Sequence, residues 1–344
     1  MNWLKNIEDL SFRKLMCGSK CPDKLNYDFN KNGELRHIDT NEPFIFNYNN
    51  SCDSNHKRYE VLGHLIIQYV YELLEQVCKL KKMYIPKDVI DSEPNSFFFM
   101  SENALRNDVT LVVLLQDRGV FRAGQWDQKT IIHEGLQHGT QIPFITTALQ
   151  YSWEVIVLNP NDNFLDLKTE KDESYCVLKS SYVIPKRYSS SPEEHTTYVW
   201  DHFISKNTAG KVAFIAHGYG GLVFINLLMQ RTFEVMNMVY AVALVDSNHH
   251  TLHQTQGNCQ VQEWIQKHCR KWISNNKPLD KVVGHSMKTD CPTVSTGTEK
   301  HSLAPSFSLQ SIFRYLKNKL KVTTKAHFIR SPIATRSRKV MKKT

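Results

Sequence analysis

Apolar residues recur with helical spacing most clearly in YEVLGHLIIQYVYELLEQVCKL (59–80), where Leu62, Leu65, Ile66, Val70, Leu73 and Leu74 share one face. This is the longest helix the pattern predicts. The first 30 residues have weak periodicity and are expected to pack loosely or fray, with residues 1–21 read as a poorly structured N-terminus. GELRHIDTNEPFIFNYN alternates apolar and polar positions on both sides of Asp39-Thr40-Asn41, which is a hairpin signal.

Further along, short apolar runs predict strands at Met83–Ile85, Ser96–Met100, Thr110–Leu115 and Glu154–Asn159, with a helix near Ile142–Gln150. Ser191, Pro192 and Glu194 form a capping box with proline at the first helical position, so a helix starts there and ends near Asn207. Then come a strand at 211–216, a helix to about Arg231, a strand at 238–245 and a helix around Glu263–Ser274. A strand near Pro292–Ser295 and a last helix from Leu309 to Leu320 complete the pattern. Such alternation means a mostly parallel sheet covered by helices on both faces, an α/β fold. The polar stretch 162–190 is long for a connection and reads as a surface loop or insert.

The segment KVAFIAHGYGGLVFINLLMQ (211–230) is a buried strand, a glycine-rich turn and a helix, the α/β-hydrolase way of presenting a nucleophile. Where the G-x-S-x-G turn would place serine, this chain has Gly218. Asp246 ends the strand VYAVALVD and His301 follows CPTVSTGTEK, so an acid and a histidine fall in hydrolase order. The loop after TLVVLL continues Gln116-Asp117, and a carboxylate at Asp117 would set negative charge beside a developing oxyanion. Gly218, Asp246 and His301 therefore read as vestigial triad positions, and Gln116 and Asp117 as a degraded oxyanion loop. Tyr219 and Ser247 are the nearest substitutes for a nucleophile in the alternative reading, a working hydrolase with an unusual nucleophile, independent of a serine at the elbow.

Composition narrows the rest. With 344 residues and 41% hydrophobic content the chain can bury a full core. No apolar run approaches a bilayer span, and Lys5, Glu8 and Asp9 stand where a signal peptide needs apolar residues, so an intracellular protein without a membrane partner is expected. The eight cysteines include no C-x-x-C pair, which argues for reduced thiols rather than zinc. His249, His250 and His253 read as a solvated loop. No metal and no cofactor is expected.

Several blocks together resemble one family: ELRHIDTNEPFIFNYN, KRYEVLGHLIIQYVYELLE, FRAGQW, GTQIPFI, VIVLNPN, SPEEHTTYVWDHFI, AHGYGG and TGTEKH. They are similar to the Argonaute-binding-protein (Arb-type) domain family, in its animal cotranscriptional-regulator branch, over residues 22–320. The resemblance implies an α/β-hydrolase-like fold, association with Argonaute proteins, and nuclear work in small-RNA-directed heterochromatin or alternative splicing. It implies protein partners, Argonaute or splicing and chromatin factors, and a nuclear location with a cytoplasmic share. Typical relatives carry serine at the position of Gly218 and a His-Gly pair at Gln116-Asp117, so this chain departs from the pattern at both places. The implied protein is a binding partner without catalysis; the other readings are a residual hydrolase and a nonfunctional relic of a duplicated gene.

The formal charge of +9 is uneven: residues from His301 onward hold 11 Lys and Arg and no Asp or Glu, leaving about −2 for the 300 before them. Arg336, Arg338, Lys339, Lys342 and Lys343, in a tail spanning 321–344, read either as a solvated end or as a nuclear-import signal with weak RNA contact. Deleting residues 332–344 is expected to leave the thermal melt nearly unchanged and to move a tagged protein from nucleus toward cytoplasm. Unchanged nuclear enrichment would rule out the import role.

Overall fold

The computed structural model describes residues 3, 12–17, 25–48, 50–88, 90, 93–167, 182–207, 211–284 and 290–330. The basic cluster Arg336–Lys343 lies outside them. The strands in chain order are β1 (Tyr27–Phe29), β2 (Leu35–His37), β3 (Lys81–Ile85), β4 (Ser96–Met100), β5 (Leu111–Leu115) and β6 (Glu154–Val157). They continue with β7 (Phe164–Leu167), β8 (Tyr182–Pro185), β9 (Val212–His217), β10 (Val239–Val245), β11 (Cys269–Ile273) and β12 (Thr293–Ser295). Eight of them form one sheet in the order β12-β11-β10-β9-β5-β6-β4-β3. The six from β12 to β6 run parallel, and β4 and β3 add antiparallel at one edge.

The middle of this sheet explains its sequence. Every residue of β5, β9 and β10 is buried, because helices cover both faces and no alternate position meets water. On one face the helix Cys52–Gln76, with Leu62, Leu65, Ile66, Val70, Leu73 and Leu74 buried, packs with Ile142–Gln150 and Ala304–Arg330 into one core. On the other, Pro192–Val199, Tyr219–Gln230 and Cys259–His268 close a second core around Phe98, Phe214 and Phe224. No helix among the described residues is long and apolar enough to cross a membrane.

Most predicted strands appear within a residue or two, while the helices predicted at 59–80 and Leu309–Leu320 run over Cys52–Gln76, begun by the Ser51 cap, and over Ala304–Arg330. The alternating segment at 33–49 supplies only one strand: β2 pairs back onto β1 across the turn at 30–34, while residues 42–48 run as irregular chain. The stretch expected to be a helix through Ser274 stops at His268, and Cys269–Ile273 becomes β11, held between β10 and β12. In the polar segment 162–190, β7 and β8 pair antiparallel. A short helix, Thr232–Met238, forms between Tyr219–Gln230 and β10, where the pattern predicts none. Near the N-terminus, Phe12 is fully buried edge-on against Phe29 and Tyr69, so residues 12–17 pack rather than fray.

Candidate functional site

Parallel register places the predicted residues in one row. Leu115 of β5 pairs with Ala216 of β9, and His217 of β9 pairs with Val245 of β10. Two residues on from Leu115, two from Ala216 and one from Val245 come Asp117, Gly218 and Asp246. All three stand at the carboxyl ends of neighbouring strands, where open α/β sheets carry their sites.

Gly218 has φ 53 and ψ −119, a conformation that a residue with a Cβ holds only under strain. Its amide donates to the Val245 carbonyl at 2.9 Å, which fixes the turn to β10. Two residues later the chain passes so close to β5 that a Cβ on Gly220 would lie 2.7 Å from the Leu115 carbonyl oxygen. The sharp strand-to-helix turn is therefore intact.

What fills it is Asp117. A Cβ built on Gly218 would lie 2.2 Å from Cγ of Asp117 and 2.3 and 2.5 Å from its two oxygens, so that carboxylate occupies the space a nucleophile's side chain would need. Oδ1 of Asp117 accepts from the Tyr219 amide at 2.6 Å and from the Arg118 amide at 2.8 Å. Oδ2 lies 3.0 Å from Nε2 of His301. The other ring nitrogen of His301, Nδ1, lies 3.0 Å from Oδ2 of Asp246, whose carboxylate also accepts from the amide and hydroxyl of Ser274. His301 thus joins both aspartates as a doubly bonded bridge.

Two carboxylates on one imidazole favour its charged form. Bonds to Asp117 and then Asp246 raise the His301 pKa to about 9 against partial burial. Burial alone would raise Asp117, but the bonds from His301 and from the Tyr219 and Arg118 amides outweigh it and hold the carboxyl below the ordinary range. Asp246 follows the same logic, burial being outweighed by His301 and Ser274. Beneath them His217 is buried and stacked on His301 with ring centroids 4.4 Å apart; burial and then the His301 charge lower its pKa to about 4, so it is neutral.

The expected residues divide as follows. Asp117, Gly218, Asp246 and His301 meet in one site. Gln116 is turned into the interior, with its Oε1 3.5 Å from Nε2 of Gln141. The Asp117 carboxylate, expected beside an oxyanion, takes both the nucleophile's space and the Tyr219 amide. Tyr219 donates its hydroxyl to Glu193 at 2.7 Å. Ser247 is only 2% exposed, with Oγ 2.8 Å from Nδ1 of His249. His249 is itself buried, which corrects the expectation of a solvated loop for that residue. Ser274 and His217 had no signal in the sequence beyond their places at strand ends. Asp117, His217 and His301 also bring three donor atoms within 4.8 Å of one another, but there the proton between Asp117 and His301 already meets the need for a cation.

The Arb2 domain model matches residues 19–279. The chain belongs to the Arb2 domain family. It is 53% identical to the human protein ARB2BP, over 96% of this chain and 97% of that one. It is 43% identical to the human cotranscriptional regulator ARB2A, over 93% of this chain and 85% of that one. Among solved structures, the histone deacetylase Clr3 is similar over 75% of this chain and 39% of its own, at 16% identity and TM-score 0.48. A naproxen esterase from Bacillus subtilis is similar over 78% and 99%, at 11% identity and TM-score 0.36.

Two outcomes are expected from this Arb2 site. His301 should titrate near pH 9 in the folded protein, against about 6.5 unfolded, so its stabilising share is complete below the unfolded value and is lost as pH rises through 9. The depressed aspartates act in the opposite sense, their share vanishing as pH falls below about 4 through their folded values. NMR titration of the His301 ring checks this; a midpoint at or below 6.5 would contradict the bridge. Secondly, Gly218→Ser should destabilise by about 1–3 kcal/mol through overpacking on Asp117. In a double-mutant cycle by urea unfolding, Asp117→Gly should recover part of that loss, with a coupling of about 1 kcal/mol or more; simple additivity would mean the two side chains do not compete.

Proposed function

We propose that this Arb2 chain is a catalytically inactive hydrolase-fold protein. It works as a nuclear binding partner or scaffold in Argonaute- and small-RNA-linked heterochromatin, or in cotranscriptional control of splicing. The observation that carries the loss of catalysis is the Asp117 carboxylate standing in the nucleophile's space and bonded to His301. Acyl transfer needs a side chain that attacks, a histidine free to take its proton, and amides free to hold the oxyanion. Here Gly218 supplies no attacking atom, His301 keeps its proton below about pH 9, and the Tyr219 amide is given to a carboxylate. The regulatory role is supported by the relatives' name, cotranscriptional regulator, and by the carboxylate that fills the nucleophile's space.

A second reading has one observation in its favour: Ser247, His249 and Asp290 stand in sequence, with contacts of 2.8 Å and 3.4 Å. Ser247 is buried against Gly221 of the elbow helix and reaches no open surface, so a substrate carbonyl has no approach to it.

Purified protein should take no label from a fluorophosphonate probe, and Gly218→Ser alone should not change that. The triple variant Gly218→Ser, Gln116→His, Asp117→Gly removes the competing carboxylate and is the one in which labelling can return. Robust labelling of the unmodified chain would overturn the inactive reading, and its loss in Ser247→Ala would favour the buried serine. Tagged chain from nuclear extract should co-purify with Argonaute or splicing factors; enrichment of neither, against a serine-bearing relative that captures them, would overturn the scaffold role.

A further inference from the structure

We propose that His249, Asp290 and Cys291 form a zinc site that ties the loop after β10 to the start of β12. The three come together only in the fold, and their nitrogen, carboxylate and sulfur donors lie within 4.8 Å of one another. The His249 side chain is fully buried, and its Nε2 makes no hydrogen bond, standing 3.4 Å from Oδ1 of Asp290. A buried ring nitrogen whose nearest partner is this one long carboxylate contact is reason to look for what would satisfy it better. Cys291 is a free thiol with no exposure, two residues before β12 begins.

The donor set and its surroundings point to zinc. A mixed N, O and S site suits Zn²⁺ better than Mg²⁺ or Ca²⁺, which take oxygen ligands. With bonds of about 2.0–2.3 Å, donors in a tetrahedron lie roughly 3.3–3.8 Å apart, so a modest contraction closes the set. Nδ1 of His249 is held 2.8 Å from Ser247 Oγ, the outer contact that aims a ligating imidazole. The Asp290 carboxylate is pinned through Oδ1 by the Thr251 hydroxyl at 2.8 Å and the Cys291 amide at 2.9 Å, which holds it in place beside His249. Zn²⁺ with one thiolate and one carboxylate is neutral, which suits a buried place. The Asp290 side chain is 22% exposed, so water reaches the fourth position from that side.

This site lies apart from the Asp117–His301–Asp246 bridge and does not depend on whether that bridge catalyses anything. Its consequence is mechanical: His249 is three residues after Asp246, so an ion there anchors the segment that presents Asp246 to His301.

The full chain, purified without chelator and without a histidine tag, should carry close to one zinc per molecule. His249→Gln and Cys291→Ser should each weaken zinc binding at least tenfold in a competition titration, while His301→Ala, at the other histidine cluster, should keep it. Replacing zinc by Co²⁺ should give a near-ultraviolet thiolate-to-cobalt charge-transfer band that Cys291→Ser abolishes. Because the band is read on the unmodified chain, the test survives if the variants fail to fold. A folded chain that shows no such band at saturating cobalt would overturn the site. So would full zinc binding by Cys291→Ser, or a His249 ring carrying protons on both nitrogens and unmoved by added zinc.

Discussion

Everything at the head of the sheet depends on the parallel register of β5, β9 and β10. Pairing Leu115 with Ala216 and His217 with Val245 leaves Asp117, Gly218 and Asp246 side by side. Two carboxylates so close to one another need a cation, and the turn after β12 delivers the His301 imidazole between them with 3.0 Å to each side. The row is fixed by backbone bonding in strands buried at every position, and a one-residue slip would send each side chain into the opposite core, whose packing it does not match.

Asp117 also has a structural use that a hydrolase would not need. The helix Tyr219–Gln230 begins at Gly218, which has no side chain with which to cap it. Asp117 supplies the missing acceptor from a neighbouring strand, taking the Tyr219 amide and placing negative charge at the helix N-terminus. Glycine at 218 and aspartate at 117 are thus a matched pair: the absent side chain makes room for the carboxylate, and the carboxylate replaces the bonds the absent residue would have made. Beside it, neutral His217 packs under charged His301; burial first, and then repulsion from that charged ring, keep it neutral.

The same principle governs the loop from Ser247 to Thr251. Polar groups there are buried because they meet partners, Ser247 bonding His249 within the loop and Thr251 bonding Asp290 from far along the chain. Burial of such groups is tolerable only with partners in place. This loop lies between Asp246 and the helices that cover the second core, so its order bears directly on the position of the acid.

By itself the sequence determined the layered α/β architecture, the sharp turn at Gly218, and the chain order of Asp246 and His301, because each rests on local patterns: buried apolar runs, glycine spacing and strand ends. It also carried the Arb2 membership in blocks of contiguous residues. Only the tertiary structure decided that Cys269–Ile273 is a strand, since its two parallel neighbours supply the bonds that outweigh a local helical pattern. Only the structure placed Asp117 in the nucleophile's space, because that position depends on the parallel pairing of β5 with β9, which brings together residues 102 apart in sequence. His249 likewise looked like one of three loop histidines until the fold brought Asp290 and Cys291 to it, for burial and charge are properties of neighbours that a linear chain does not specify.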